Sequence, residues 1–175
     1  MENNALKEFY NLNKKVNKAI INGDKNTLYG NITYEGTEAL IEEFKEYFNE
    51  DTVFYDLGCG PGHMPIHISV ATDAKKCVGI EMVKERYELG VKHYHTVLEN
   101  RAQLINGDMF MHNWNDATVI YIDNTVMTLD LMNEFWKRVP KGCLVIMCKA
   151  YRDAKRLRGS HKRSYSSQSC SFIIK

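Results

Sequence analysis

Apolar residues recur along the chain in two rhythms. In the first stretch Leu6, Phe9, Val16 and Ile20 stand three, seven and four residues apart, the spacing of one helix face. That predicts a helix over 2–21, stopped by Gly23, with "NGDKN" as a turn. Leu40, Ile41, Phe44 and Phe48 predict a second helix over 37–48, with Thr37 as its N-cap. From residue 52 the rhythm changes, and short apolar runs alternate with longer amphipathic ones. "TVFYDL" (52–57), "KCVGIE" (76–81), "AQLING" (102–107), "ATVIYID" (117–123) and "GCLVIMCK" (142–149) read as strands. Helices are expected over 63–71, 83–100 and 129–139. "SYSSQS" (164–169) reads as a Ser-rich turn, and "SCSFIIK" (169–175) as a last strand.

The runs "VFY", "VIYI" and "LVIM" are continuous rather than alternating, which suits strands buried on both faces. The fold class that follows is α/β: a Rossmann-like, doubly wound, mostly parallel sheet with an antiparallel C-terminal edge strand. A short helical N-terminal extension over 1–27 precedes the main domain, 28–175. At 175 residues, 44% hydrophobic and 26% charged, the chain suits a globular domain with its own core. No stretch is long and apolar enough to cross a membrane. The opening "MENNALKEFYNLNKK" lacks a signal peptide's apolar core. Five cysteines without CxxC spacing read as buried thiols in a reducing compartment. The expected location is intracellular, in nucleus or cytoplasm. The Asn- and Lys-rich style fits an AT-rich genome, that of a large virus or of a microbe; for a virus the location would be the host's nucleus or cytoplasm.

Charge changes the picture at one place. Net charge is +1, but Lys149 to Arg163 holds seven Lys or Arg against one Asp, so it carries +6 and the remainder −5. Taken alone, such a stretch reads as a solvated loop. Beside a functional site, Arg152, Lys155, Arg156, Arg158, Lys162 and Arg163 become candidates for contact with nucleic acid or an acidic protein surface.

Candidate chemistry concentrates at strand ends, where this fold binds ligands. In "VFYDLGCGPGHM" the first strand ends at Asp56, and Gly58, Gly60 and Gly62 form the loop into the next helix. Glycines permit a tight turn and close approach of a ligand. The spacing is GxGxG rather than the GxGxxG of dinucleotide sites. Asp56 would repel a pyrophosphate but suits a cationic amine. Glu81 ends the second strand, where a carboxylate can accept from two ribose hydroxyls. Asp108 follows the third strand, and Asp123 and Asn124 follow the fourth.

This order of features resembles class I S-adenosylmethionine (SAM) methyltransferases. The resemblance implies SAM as cofactor, with Asp56 at its ammonium, Gly58, Cys59, Gly60 and Gly62 beneath it, and Glu81 and Met82 at the ribose. Asp108 and the Met109 N–H would hold the adenine, Asn124 the methyl acceptor, and Asp123 either the acceptor amine or the methionine group of SAM. "LYGNITYEGTEALIEEF", "YDLGCGPG", "GIEM", "GDMF" and "VIYIDN" are similar, in that order, to segments of the disruptor-of-telomeric-silencing histone-lysine methyltransferases. "SYSSQSCSFII" faintly resembles that family's closing strand. The likeness spans roughly 28–150 and implies that Tyr29 to Thr33, including Ile32, line the methionine end of SAM. It places His63 where the family has Gln, and Phe172 near a lysine channel. Asp123 stands where the family has Asn, Thr125 where it has Phe, and Ile32 where it has Thr.

The resemblance implies a protein-lysine N-methyltransferase acting on a nucleosome-core histone lysine, as a monomer, with DNA contact through 149–163 and no membrane. A non-histone protein lysine is the alternative acceptor, and a SAM- or nucleic-acid-binding module without turnover is the alternative class. A lysine amine with a pKa of about 10.4 must lose its proton before transfer. Tyr34, Tyr121, Phe110 and Phe172 are candidate walls of an apolar channel that favours the neutral form, at least half of them expected to be plain core. "IDNTVM" lacks the Pro-Pro-aromatic of base-modifying relatives. His63 and His67 lie four apart, a spacing that can bind zinc, but no further ligands accompany them and no metal is expected.

Overall fold

The computed structural model describes residues 4–12, 32–156 and 170–175. Helices α1 (Asn4–Leu12) and α2 (Tyr34–Glu43) precede the alternating part. There β1 (Val53–Leu57), α3 (His63–Ala71), β2 (Lys76–Glu81), α4 (Lys84–His93) and β3 (Gln103–Asn106) follow in turn. Next come β4 (Val119–Ile122), α5 (Leu129–Arg138), β5 (Leu144–Met147), β6 (Lys155–Arg156) and β7 (Ser171–Ile174). They build one seven-stranded sheet in the order β3-β2-β1-β4-β5-β7-β6. β1 to β5 pair in parallel, and β7 runs antiparallel to both β5 and β6. The last strand is thus antiparallel as expected, with the two-residue β6 outside it.

Strand alternation feeds two cores. Phe54, Val119, Tyr121, Leu144 and Ile146 face one side, under Leu6 and Phe9 of α1, Leu40 of α2 and Ile66 of α3. Tyr55, Leu57, Ile120, Ile122, Val145 and Met147 face the other, against Trp114 and Met132 and Phe135 of α5. By the same alternation Asp56 lies on the first side, at the level of Tyr121. Asp123 follows just beyond β4.

The second helix starts earlier than its apolar spacing suggests. Thr33, extended at φ −77°, accepts the Gly36 N–H at 3.1 Å and is the N-cap. Thr37 lies one turn inside, buried, donating to the Thr33 carbonyl at 3.2 Å. α4 stops at His93, short of the expected 100, because a 3-10 turn over Tyr94–Thr96 and a positive φ at Glu99 turn the chain towards β3. The predicted first helix is present over 4–12 and otherwise lies outside the described residues, as does Tyr29. No helix among the described residues is long and apolar enough to cross a membrane.

Candidate active site

The site begins where β1 ends. Gly58, Gly60 and Gly62 take φ of 94°, 57° and 87°, left-handed values that L side chains rarely adopt. The loop satisfies its own amides. Gly58 and Cys59 donate to the Ile80 carbonyl, and Gly62 donates to the Cys59 carbonyl. Gly60 donates to a Glu81 carboxylate oxygen at 2.8 Å. These N–H groups turn inwards, so the loop is no phosphate cradle. A Cβ at Gly58 would meet nothing within 4 Å, which leaves that face open. Close approach governs Gly90 instead, where a Cβ would lie 2.3 Å from the Pro61 carbonyl oxygen and push α4 off the loop.

Asp56 is buried at 4% exposure, and its carboxylate accepts no hydrogen bond from the described residues. Burial pushes its carboxyl well above the usual range, and the charges of Glu81 and Asp123 push further. A buried carboxylate in this state is stabilised by a cation brought to it. Glu81 is differently placed. It too is buried, and burial raises its carboxyl, but the Val83 N–H, Arg86 and the Gly60 N–H pull the other way. One oxygen accepts from Val83 at 2.7 Å, the other from Gly60, and Arg86 lies 3.8 Å away. Each oxygen keeps a lone pair for a ligand hydroxyl. Met82 beside it is 60% exposed. Asp108 is exposed and uses one oxygen to cap the Phe110 N–H at 2.9 Å. Met109 opens the 3-10 turn Met109–Met111, a position whose N–H the turn leaves unsatisfied.

At the β4 end the two candidate acceptor-holding residues separate. Asp123 is half-buried, and its Oδ1 accepts from the Thr125 N–H at 3.1 Å and hydroxyl at 2.5 Å. Asn124 is buried, and both ends of its amide are engaged by Lys149. Its Nδ2 donates to the Lys149 carbonyl at 2.8 Å, and its Oδ1 accepts the Lys149 N–H at 2.7 Å. Asn124 therefore clamps the end of β4 to the end of β5 instead of holding an acceptor.

Other expected site residues turn out to pack. The Cys59 thiol fills the space over Gly79, where a Cβ would stand 2.6 Å from its sulfur, and burial holds its pKa well up. Ile32 is 2% exposed in the first core. Thr33 gives its hydroxyl to the α2 cap. His63 is buried, its Nε2 3.3 Å from the Phe9 carbonyl oxygen and its ring 4.7 Å from that of Phe9, facing α1. Phe172 packs edge-on to Phe44 at 5.2 Å in the core beneath α2. Of the candidate channel walls, Tyr121 is buried with its hydroxyl 3.2 Å from the Cys148 sulfur, and Phe110 belongs to the opposite core under Arg138. In the basic stretch Arg152 is exposed and lies over the Trp136 ring at 5.6 Å, and Lys155 is exposed on β6. The side chain of Arg156, together with Arg158, Lys162 and Arg163, lies outside the described residues.

Two groups escape the sequence reading. Arg86, buried against Glu81, is hidden in the charged run "KERYE" and carries no local signal. Tyr10, Thr37, His67 and Glu38 form a polar chain joining α1, α2 and α3. The Tyr10 hydroxyl lies 2.9 Å from Thr37 Oγ1 and 3.1 Å from His67 Nδ1, and His67 Nε2 meets the Glu38 carboxylate. A carboxylate only accepts, so Nε2 carries the proton. Burial lowers the His67 pKa despite Glu38, and raises that of Tyr10, with Asp56 adding to the latter. The i,i+4 spacing of His63 and His67 was the available signal: both imidazoles serve to seat α1.

An acid for an ammonium, a second for a diol, an open glycine face and an adenine-side acid fit S-adenosylmethionine. Comparison with known proteins agrees. The family described as "Histone methylation protein DOT1" matches residues 13–105. A "Protein-lysine N-methyltransferase" of Saccharolobus islandicus is 31% identical over 90 residues, 51% of this chain and 53% of its own. A "Ribosomal protein L11 methyltransferase" of Alkaliphilus oremlandii is 31% identical over 62 residues, 35% of this chain and 20% of its own. The chain thus spans about half the length of the first of these relatives and a fifth of the second. Among solved structures, an RNA methyltransferase from Salinibacter ruber in complex with S-adenosyl-L-homocysteine superposes with a TM-score of 0.63 at 18% identity. That superposition covers 81% of this chain and 90% of the other, and it shows the shared fold. With the fold, the strand-end acids and a match over residues 13–105, the chain belongs to the DOT1 histone methylation protein family, within the class I SAM-dependent methyltransferases.

Proposed function

We propose that this chain transfers a methyl group from SAM to the side-chain amine of a protein lysine, with a nucleosome-core histone lysine as its target. The observation that carries the reading is the charge at the strand ends. Asp123, half-buried just beyond β4, stands in the field of buried Asp56, and this anionic mouth favours a cationic side chain over a phosphate-bearing one. The family match supports a histone acceptor. The 31% identical protein-lysine methyltransferase supports the second reading, a lysine on a non-histone protein.

The cofactor supplies an electrophilic methyl on a sulfonium. The protein's work is placement. Asp56 holds the methionine ammonium, and Glu81 holds the ribose hydroxyls while Arg86 balances its charge. Asp108 and the Met109 N–H take the adenine edge. The Thr125 hydroxyl and N–H fix the Asp123 carboxylate through its Oδ1, so little rotamer entropy is lost on binding. Asp123 accepts a hydrogen bond from the incoming amine and aligns it for in-line transfer. Its charge also favours the ammonium form, so the amine gives its proton to bulk water before it takes up the methyl group. The exposed cations Arg152 and Lys155, with the rest of 149–163, approach nucleosomal DNA or an acidic protein surface. The chain works as a monomer in nucleus or cytoplasm.

The test is transfer of labelled methyl from SAM to intact nucleosomes, free histones and non-histone protein, side by side. Label on nucleosomes, lost when Arg152, Lys155, Arg158 and Lys162 are neutralised, is the expected result. Label confined to non-histone protein replaces the target with the second reading. No label on any protein, with SAM bound, overturns the proposal.

A further inference from the structure

We propose that Cys148 and Cys170 are a dithiol modification site, at which an oxidant of the low-molecular-weight disulfide class closes a cross-strand bond between them. The β5–β7 ladder pairs Ile146 with Phe172 and Met147 with Ser171 in antiparallel register. The next level up places Cys148 opposite Cys170. Hydrogen-bond parity fixes the kind of pair. Leu144 donates its N–H to Thr118 at 3.0 Å and Cys148 donates to Ile122 at 3.3 Å, both across to β4 and its approach. The even-numbered positions of β5 thus turn their N–H away from β7, and the Cys148 level is a non-hydrogen-bonded one. Opposite Cα atoms at such levels lie about 4.5 Å apart with side chains close. Disulfides span Cα separations of roughly 4.4–6.8 Å.

Both side chains point the same way. Cys148 and Cys170 belong to the first core, with Leu144, Ile146 and Tyr121. The Tyr121 hydroxyl lies 3.2 Å from the Cys148 sulfur, and both thiols act on that phenol. Cys143, the other cysteine of this stretch, faces the opposite core. Cys148 and Cys170 are buried, at 4% and 0% exposure, but both lie beyond the last paired level of the ladder. An oxidant reaches them by opening the strand ends alone.

The pair also has a place in the chain. Cys148 immediately precedes Lys149, and residues 149–169, with the whole basic stretch, run between the two cysteines. A bond between them joins the two ends of that stretch where Cys148 meets the end of β4. In the reaction one cysteine loses its proton, and its thiolate attacks a sulfur of the oxidant. The oxidant's S–S bond breaks and one small thiol leaves. The second cysteine, as thiolate, attacks the protein-side sulfur of the mixed disulfide and expels the other small thiol. The protein loses two hydrogens, and one disulfide oxidant becomes two thiols.

The test uses the full chain, incubated with oxidised glutathione, alkylated, digested with trypsin without reduction and mapped by mass spectrometry. The expected result is peptide 142–149 joined to peptide 164–175, with fragmentation placing the bond on Cys148, and both peptides released by dithiothreitol. Cys143→Ala keeps the linked species, and Cys148→Ala and Cys170→Ala lose it. The oxidised chain melts several degrees above the reduced one. The proposal is overturned if both thiols are still alkylated after oxidation, or if the bond maps to Cys143. The wild-type map decides the matter even if a variant fails to fold.

Discussion

Asp56→Asn separates two effects that a structural carboxylate would not separate. Without cofactor, Asp56 is a buried carboxyl whose oxygens take no hydrogen bond from the described residues. Its pKa is raised in the folded state, so its contribution to stability is fully present below the unfolded value of about 3.9 and is lost as pH rises through the folded value. Between those two values the loss runs at about 1.4 kcal/mol per pH unit. Asn keeps the shape and removes the charge, so cofactor-free Asp56→Asn is expected to melt higher than wild type at pH 7 and to lose that slope. Cofactor binding changes in the opposite direction. A charge-assisted hydrogen bond contributes about 1.5–3 kcal/mol, so SAM affinity falls by about 10- to 150-fold. Thermal melts from pH 4 to 8 and SAM titration calorimetry read both effects. Unchanged SAM affinity, or a variant less stable than wild type without cofactor, refutes the reasoning.

Four further outcomes are expected. Asn124→Ala leaves the Lys149 N–H and carbonyl without their partners, and urea unfolding should show a loss of about 2–4 kcal/mol; a loss within experimental error contradicts the clamp. Gly62→Ala forces a Cβ to 2.5 Å from Leu104 at φ 87°, and should cost about 1–3 kcal/mol on thermal denaturation, so a neutral result rejects the loop geometry. His63 is held neutral with its pKa lowered to about 3, so stability present above the unfolded imidazole value is lost as pH falls below about 6.5. His63→Gln should flatten that acid limb in urea titrations at pH 4 to 7, and an unaltered slope assigns it elsewhere. Asp123→Ala should lower methyl transfer by roughly tenfold or more with SAM still bound, and full turnover in a rate assay removes Asp123 from the mechanism.

The strands were legible because burial on both faces leaves continuous apolar runs, and the expected 63–71 helix and 76–81 strand match α3 and β2. Asp56 and Glu81 stood out for a related reason: a charged residue closing an apolar strand has few structural uses, and the structure buries both. Helix ends were less visible. Thr33 and Thr37 are both good caps, and only the extended backbone at Thr33 decides between them. The roles of Asn124 and His63 were hidden because their partners, the Lys149 backbone and the Phe9 carbonyl, are distant in sequence and donate or accept through main-chain atoms that leave no residue signature. Arg86 was hidden for the same reason in reverse. Its partner Glu81 already had a local explanation.

The proposed reaction is methylation of a lysine amine by SAM. The most direct measurement incubates the protein with methyl-labelled SAM and a total lysate, separates protein from nucleic acid, and hydrolyses the labelled protein to amino acids. The expected result is label in ε-N-methylated lysine. Label in nucleic acid, or in any amino acid other than lysine, contradicts it.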